Sequence, residues 1–153
     1  TAASIQIGDR RIDFMGVDDP HRNFDSLSRM ERALESLQSE DIFEESAPEL
    51  TIGVAHAPYQ RILNEFVAQG AQVLFAGHTH GGQVCVPGFG ALVTNCDIPR
   101  DQVKGLSTWR HGAHTAALNV SAGLGTSIYA PVRFACPPEA SLVTLIPRNT
   151  PQQ

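Results

Sequence analysis

The feature that most constrains this chain is a strand–helix–strand unit between Leu50 and Gly77. LTIGVAHAP reads as a buried strand that ends at His56. YQRILNEFVAQG follows as a helix, because Ile62, Leu63, Phe66 and Val67 fall on one face and Gly70 supplies a C-terminal stop. AQVLFAGHTHGG is a second strand, and it ends at His78 and His80. A unit of this length is a crossover between parallel strands, whose C-terminal ends lie on one edge of a sheet. His56 and the His78/His80 pair are therefore expected side by side.

The flanking segments fill in the fold class. SIQIGDRRIDFMGV predicts a hairpin about Gly8–Asp9, with Ile5 and Ile7 alternating before Ile12, Phe14 and Val17. DDPHRN is a polar loop. A helix is predicted from about Phe24 to Ser39 on the spacing of Leu27, Met30, Leu34 and Leu37, with Asp25 or Ser26 at its start. DIFEESAPE reads as an exposed acidic loop. Beyond Gly82, QVCVP and GALVTN are short strands about the turn PGFG, and HTAALNVSAG and EASLVTLIP are further strands. DIPRDQVKGLSTWRHG and GLGTSIYAPVRFACPPE are irregular between them. The result is an α/β chain in which a parallel unit precedes mainly antiparallel strands. It forms one domain over residues 1–147, and RNTPQQ (148–153) is a frayed tail.

Composition narrows the partners. With 42% hydrophobic residues among 153, the chain can build a core. The net charge of −5, with no basic cluster, argues against nucleic acid as a partner. Cys85, Cys96 and Cys136 are odd in number and widely spaced, so they form neither a disulfide framework nor a CxxC metal site, and a reducing compartment is expected. No apolar run reaches the length of a membrane span. TAASIQIGDRRIDFMGV enters strand-like alternation at once, without initiator methionine or leader, so a piece of a longer chain is expected.

Imidazole is the commonest side-chain metal ligand near neutral pH. In GHTHGGQ, glycines around His78 and His80 free the backbone, so that two nearby nitrogens can address one ion or two adjacent ones. GHTHGGQ, preceded by a strand and a separate VAHAP, resembles the end of a calcineurin-like metallophosphoesterase. NVSAGLGTS (119–127) and PVRFACPPE (131–139) are similar to a bacterial branch of that superfamily, which includes membrane-associated phosphoesterases and UDP-diacylglucosamine pyrophosphatase-type enzymes. The resemblance runs from about Gly8 to Pro147.

The resemblance implies a two-sheet sandwich flanked by helices, of which this chain is the C-terminal half. It implies hydrolysis of a phosphoester or phosphoanhydride at two divalent ions, manganese, iron or zinc. His56 and His78 match ligands of the second metal, and His80 matches a ligand of the first. The family's remaining ligands lie in D-x-H, G-D-x-x-D and G-N-H-(D/E) motifs earlier in its chain. This sequence has no G-N-H and no G-D-x-x-D. Asp19-Pro20-His21 spells D-x-H and Gly8-Asp9 begins a near match, but their order is reversed. Asp18 and Asp19 are read as loop residues bordering the site, and the general acid is unassigned. The implied substrate is a phosphorylated small molecule or lipid. The implied partners are the missing N-terminal half and a second copy of the chain, paired through exposed apolar surface. The implied location is bacterial, cytoplasmic or membrane-associated, and activity of this chain alone is not expected.

Other residues read as structural first. His111 and His114 form an exposed loop pair, with a substrate contact or accessory ligand as the alternative. Trp109 packs, or stacks on a substrate. Arg133 pairs with Glu139, or contacts a phosphate. Asn119 and the glycines of SAGLGTS shape the floor of the site, Gly81 and Gly82 support His80, and Cys85 is a buried thiol. Ser121 and Ser127 lack a base and an orienting acid, which excludes a serine hydrolase. Two other functions stay open: a non-catalytic module holding one zinc through three histidines, and a structural or interaction remnant of an enzyme.

Overall fold

A computed structural model describes residues 1–39 and 47–146. Most of the acidic loop and the tail 148–153 lie outside the described residues. The elements are β1 (Ala2–Ile7), β2 (Arg10–Gly16), α1 (Leu27–Ser39), β3 (Leu50–Val54), α2 (Gln60–Ala68), β4 (Val73–Ala76), β5 (Cys85–Val86), β6 (Gly90–Ala91), β7 (Gly105–His111) and β8 (His114–Val120). Six strands form one mixed sheet in the order β1-β2-β3-β4-β8-β7, and β5-β6 form a small antiparallel pair. The chain is thus mixed α/β.

The expected hairpin β1–β2 forms about Gly8–Asp9, with Ile5 opposite Ile12. The crossover β3–α2–β4 forms as well, with Gly53 beside Leu74. A second crossover stands next to it: β2 runs parallel to β3, with Met15 beside Gly53, and α1 connects them. Both crossovers step across the sheet in the same direction. A right-handed connection then puts α1 and α2 on one face.

That face holds the core. Ile62, Leu63, Phe66 and Val67 of α2 and Met30 and Leu34 of α1 bury against Met15, Leu74, Leu118 and Val120. Gly53 lets α2 approach closely, because a Cβ there would meet the Phe66 ring at 2.5 Å. Trp109 is buried, and its indole nitrogen donates to Asn64 Oδ1 at 3.0 Å, which gives it the packing role. Asp13 is buried beneath the same layer, bound to Arg11 at 2.8 Å and to the Ser4 hydroxyl at 2.6 Å. Ser26 Oγ accepts from Arg29 N at the start of α1, while Asp25 instead pairs with Arg61 of α2.

The opposite face of the sheet is less covered among the described residues, although Ile52 and Asn119 at its middle are buried. Ile5, Ile7, Val54 and Leu106 are 46, 58, 45 and 73% exposed, and alternation along the strands places them all on this side.

Three sequence expectations need correction. GLSTWRH, read as irregular, is strand β7, paired antiparallel to β8. EASLVTLIP, read as a strand, makes no ladder within its described residues. Val143 and Leu145 lie across the less covered face, where no strand among the described residues pairs with them, and Leu142 stays 97% exposed. The second half is less antiparallel than expected, since β8 runs parallel to β4 with Ala76 beside Val120.

Candidate metal centre

Four parallel strands, β2, β3, β4 and β8, send their C-terminal ends to one edge. In open sheets of this kind, ligands bind off that edge. The loop after β3 carries His56, and the loop after β4 carries His78 and His80. The loop after β2 carries Asp19 and His21, and the loop after β8 carries SAGLGTS.

His56 and His78 meet as the sequence implies. His78 Nδ1 lies 3.0 Å from His56 Nε2, with ring centroids 4.9 Å apart and near edge-on. The structure adds His21, whose ring centroid is 4.4 Å from that of His78. Sequence reading set His21 aside because its D-x-H spelling falls out of family order. The signal that finds it is the second crossover: IDFMGV, a helix, then LTIGV, which brings the end of β2 to the same edge.

His80 is held by a different set of partners. Its backbone carbonyl accepts from Arg133 Nη1 at 3.0 Å, and its ring interacts with the Gly125 backbone. Burial, then the Arg133 charge, then His56, hold the His80 imidazole below its ordinary value. Burial, then His21 and His56, do the same for His78, with Asp19 opposing. Both rings are therefore neutral near pH 7, the form that binds metal.

The backbone of the motif is unusual. His78 and His80 have φ of 66° and 50°, a left-handed conformation rare outside glycine. Such conformations cluster at functional sites, where the surroundings hold them in place. The hold is visible. The Thr79 hydroxyl donates to Val103 O at 2.7 Å and accepts from Gly81 N at 3.2 Å. A Cβ on Gly81 would fall 2.8 Å from Cys136 Sγ, and one on Gly82 would fall 2.2 Å from Ala91 Cβ.

The three stretches GHTHGGQ, SAGLGTS and PVRFAC are tied into one network. Gln83 Nε2 donates to Ala130 O at 3.0 Å, and its carbonyl accepts from Ser127 N. Arg133 donates to the carbonyls of His80, Ala122, Gly123, Gly125 and Cys136. Its guanidinium is engaged by backbone, and the expected Glu139 pair is not made. Glu139 binds Lys104 at 3.0 Å instead. The Cys85 and Cys136 thiols both donate to Gly81 O, at 3.3 and 3.4 Å. Cys136 is the fully buried thiol and Cys85 only partly so, which corrects the expectation for Cys85.

His111 and His114 are exposed and face each other across the tip of β7–β8. Asp19 is engaged locally: Oδ1 accepts from His21 N at 2.9 Å, and Oδ2 lies 3.9 Å from Arg22. Asn119 is buried on β8 toward the less covered face.

The histidines fit a metal ion in two respects. His78 Nε2 is buried and has no hydrogen-bond partner, an orphaned nitrogen that a metal would satisfy. Two imidazoles ligating one ion at ~2.0 Å have ring centres about 4.5–5 Å apart, close to the separations here. Among the described residues, no three His, Cys, Asp or Glu side chains already converge on one point at ligand distance. His56 and His78 hydrogen-bond to each other instead, and ring rotation would be needed to redirect them. A second ion would need oxygen donors beyond this cluster, since hard cations favour them.

No protein-family model matches the chain, and neither a curated protein nor a solved structure matches it. What the site can do therefore follows from its own donors.

Proposed function

We propose that this chain supplies the histidine side of a two-metal site that hydrolyses a phosphoester or phosphoanhydride, in the manner of the calcineurin-like phosphoesterases that GHTHGGQ resembles. The observation that carries the reading is His78: a strained residue just past a strand end, with a buried, unpartnered Nε2 and with the His21 and His56 rings packed against its own. The convergence of SAGLGTS and PVRFAC on the same loop supports it.

In this reading His56 and His78 hold one ion and His80 holds the other, whether manganese, iron or zinc. The ions would supply an activated water and neutralise charge building on the phosphoryl group. The chain's own part is positioning. The left-handed turns at His78 and His80 keep the rings at the edge, and the Arg133 network keeps the turns. His21 and His56 are exposed and His78 is half-buried, so the cluster forms an open shelf. A second layer seated on the less covered sheet face would close it and bring carboxylates and the general acid, so the chain alone is expected to turn over slowly or not at all. The substrate class is a phosphorylated small molecule or lipid.

The test is coupling between metal and phosphate on the purified chain. With manganese or zinc bound, inorganic phosphate should bind at least about tenfold more tightly than without metal, measured by calorimetry. Metal binding with no effect on phosphate would favour the single-zinc module. No metal binding would favour a structural remnant.

A further inference from the structure

We propose that His21 is an additional ligand of the ion held by His78, oriented by the hydroxyl of Tyr59. This rests on the metal-site reading above and extends it to a residue that the motif does not include.

Placement comes first. Because β2 is parallel to β3, its outgoing loop enters the histidine edge. The turn Pro20–Arg22 then fixes the backbone of His21. Asp19 caps it by accepting from His21 N, and Asn23, at φ 57°, closes it by donating to Pro20 O. His21 thus reaches His78 on a short, braced turn. Its ring centre is nearer to His78 than that of His56 is, 4.4 against 4.9 Å. His78 Nε2 is the buried nitrogen with no partner among these rings.

Orientation comes second. His21 Nδ1 lies 3.0 Å from Tyr59 Oη, and the Tyr59 hydroxyl donates to Asn95 O at 3.4 Å. With its own proton directed to that carbonyl, Tyr59 Oη accepts from Nδ1–H. The lone pair of the neutral ring is then on Nε2, the nitrogen free to ligate. A ligating histidine whose second nitrogen donates to a fixed oxygen is the usual arrangement at metal centres.

Cobalt(II) is the probe, because its visible bands report ligand type and number. The full 153-residue chain is titrated with cobalt by calorimetry and by absorption. His21→Ala is expected to weaken binding about 10- to 100-fold and to shift the bands. His21 is exposed, so its truncation leaves the fold in place, and circular dichroism checks this. Tyr59→Phe removes one oxygen only, and is expected to weaken binding by a smaller factor without shifting the bands. Unchanged affinity and spectrum in His21→Ala, with binding still abolished by His78→Ala, would overturn the His21 assignment while leaving the metal site intact. No cobalt bound by the unmodified chain would overturn both.

Discussion

His78 combines two costs in one residue. Its left-handed backbone is unfavourable by about 1–2 kcal/mol for a side chain other than glycine, and its buried Nε2 lacks a partner, at about 1–3 kcal/mol more. Such costs persist where function needs the residue in place. They also set a pH dependence. The folded His78 imidazole lies below its unfolded value of 6.5, from burial first and then from His21 and His56. The unfolded chain therefore binds protons at pH 6.5 that the folded chain refuses, and stability falls as pH drops below that value. His80 is shifted in the same direction and adds to the loss. Urea unfolding in chelator should give midpoints that decline between about pH 7.5 and 5.5. His78→Gln should decline less steeply. A flat profile for the unmodified chain would count against this picture of the buried imidazole.

At the scale of elements, the loops after β4 and β8 are organised by one guanidinium. Arg133 serves five carbonyls, two of them, His80 and Gly125, also tied to the His80 side of the site. Arg133→Ala should leave several of these carbonyls unsatisfied and cost about 2–4 kcal/mol in chemical denaturation. It should also weaken metal binding, although Arg133 is no ligand. A variant of unchanged stability would show that the network is incidental. The proximity of His56 and His78 was legible because α2 has a clean apolar stripe between two short strands. Sequence reasoning missed His21 because the connection from β2 to β3 passes through an acidic stretch that masks a crossover. It missed β7 because Ser107, Thr108 and Arg110 dilute its alternation around Trp109. It predicted a strand over EASLVTLIP (139–147) because strand patterning reports side-chain burial and carries no information on whether a neighbouring strand exists. Arg133 was misassigned because one guanidinium serving backbone carbonyls leaves no sequence pattern.

The whole molecule is a sheet with one covered face. Among the described residues, α1 and α2 cover one side, while the other leaves Ile5, Ile7, Val54 and Leu106 largely in solvent and is crossed by Ser141, Val143, Leu145 and Ile146. In soluble proteins, large exposed apolar patches are commonly places of association. The purified chain should therefore self-associate, with sedimentation rising in the micromolar range. A Val54→Lys and Leu106→Lys double variant should shift it toward monomer while retaining the helical signal. A monomer at all concentrations, with no binding of an apolar dye, would mean that this face needs no cover.

The central claim is that the histidines at the strand ends form a metal site, and metal content tests it most directly. The chain is incubated with manganese or zinc, passed through gel filtration, and analysed for metal per polypeptide. At least one ion is expected to be retained per chain, lost in His56→Ala and His78→Ala and partly lost in His21→Ala. No retained metal in the unmodified, folded chain would contradict it.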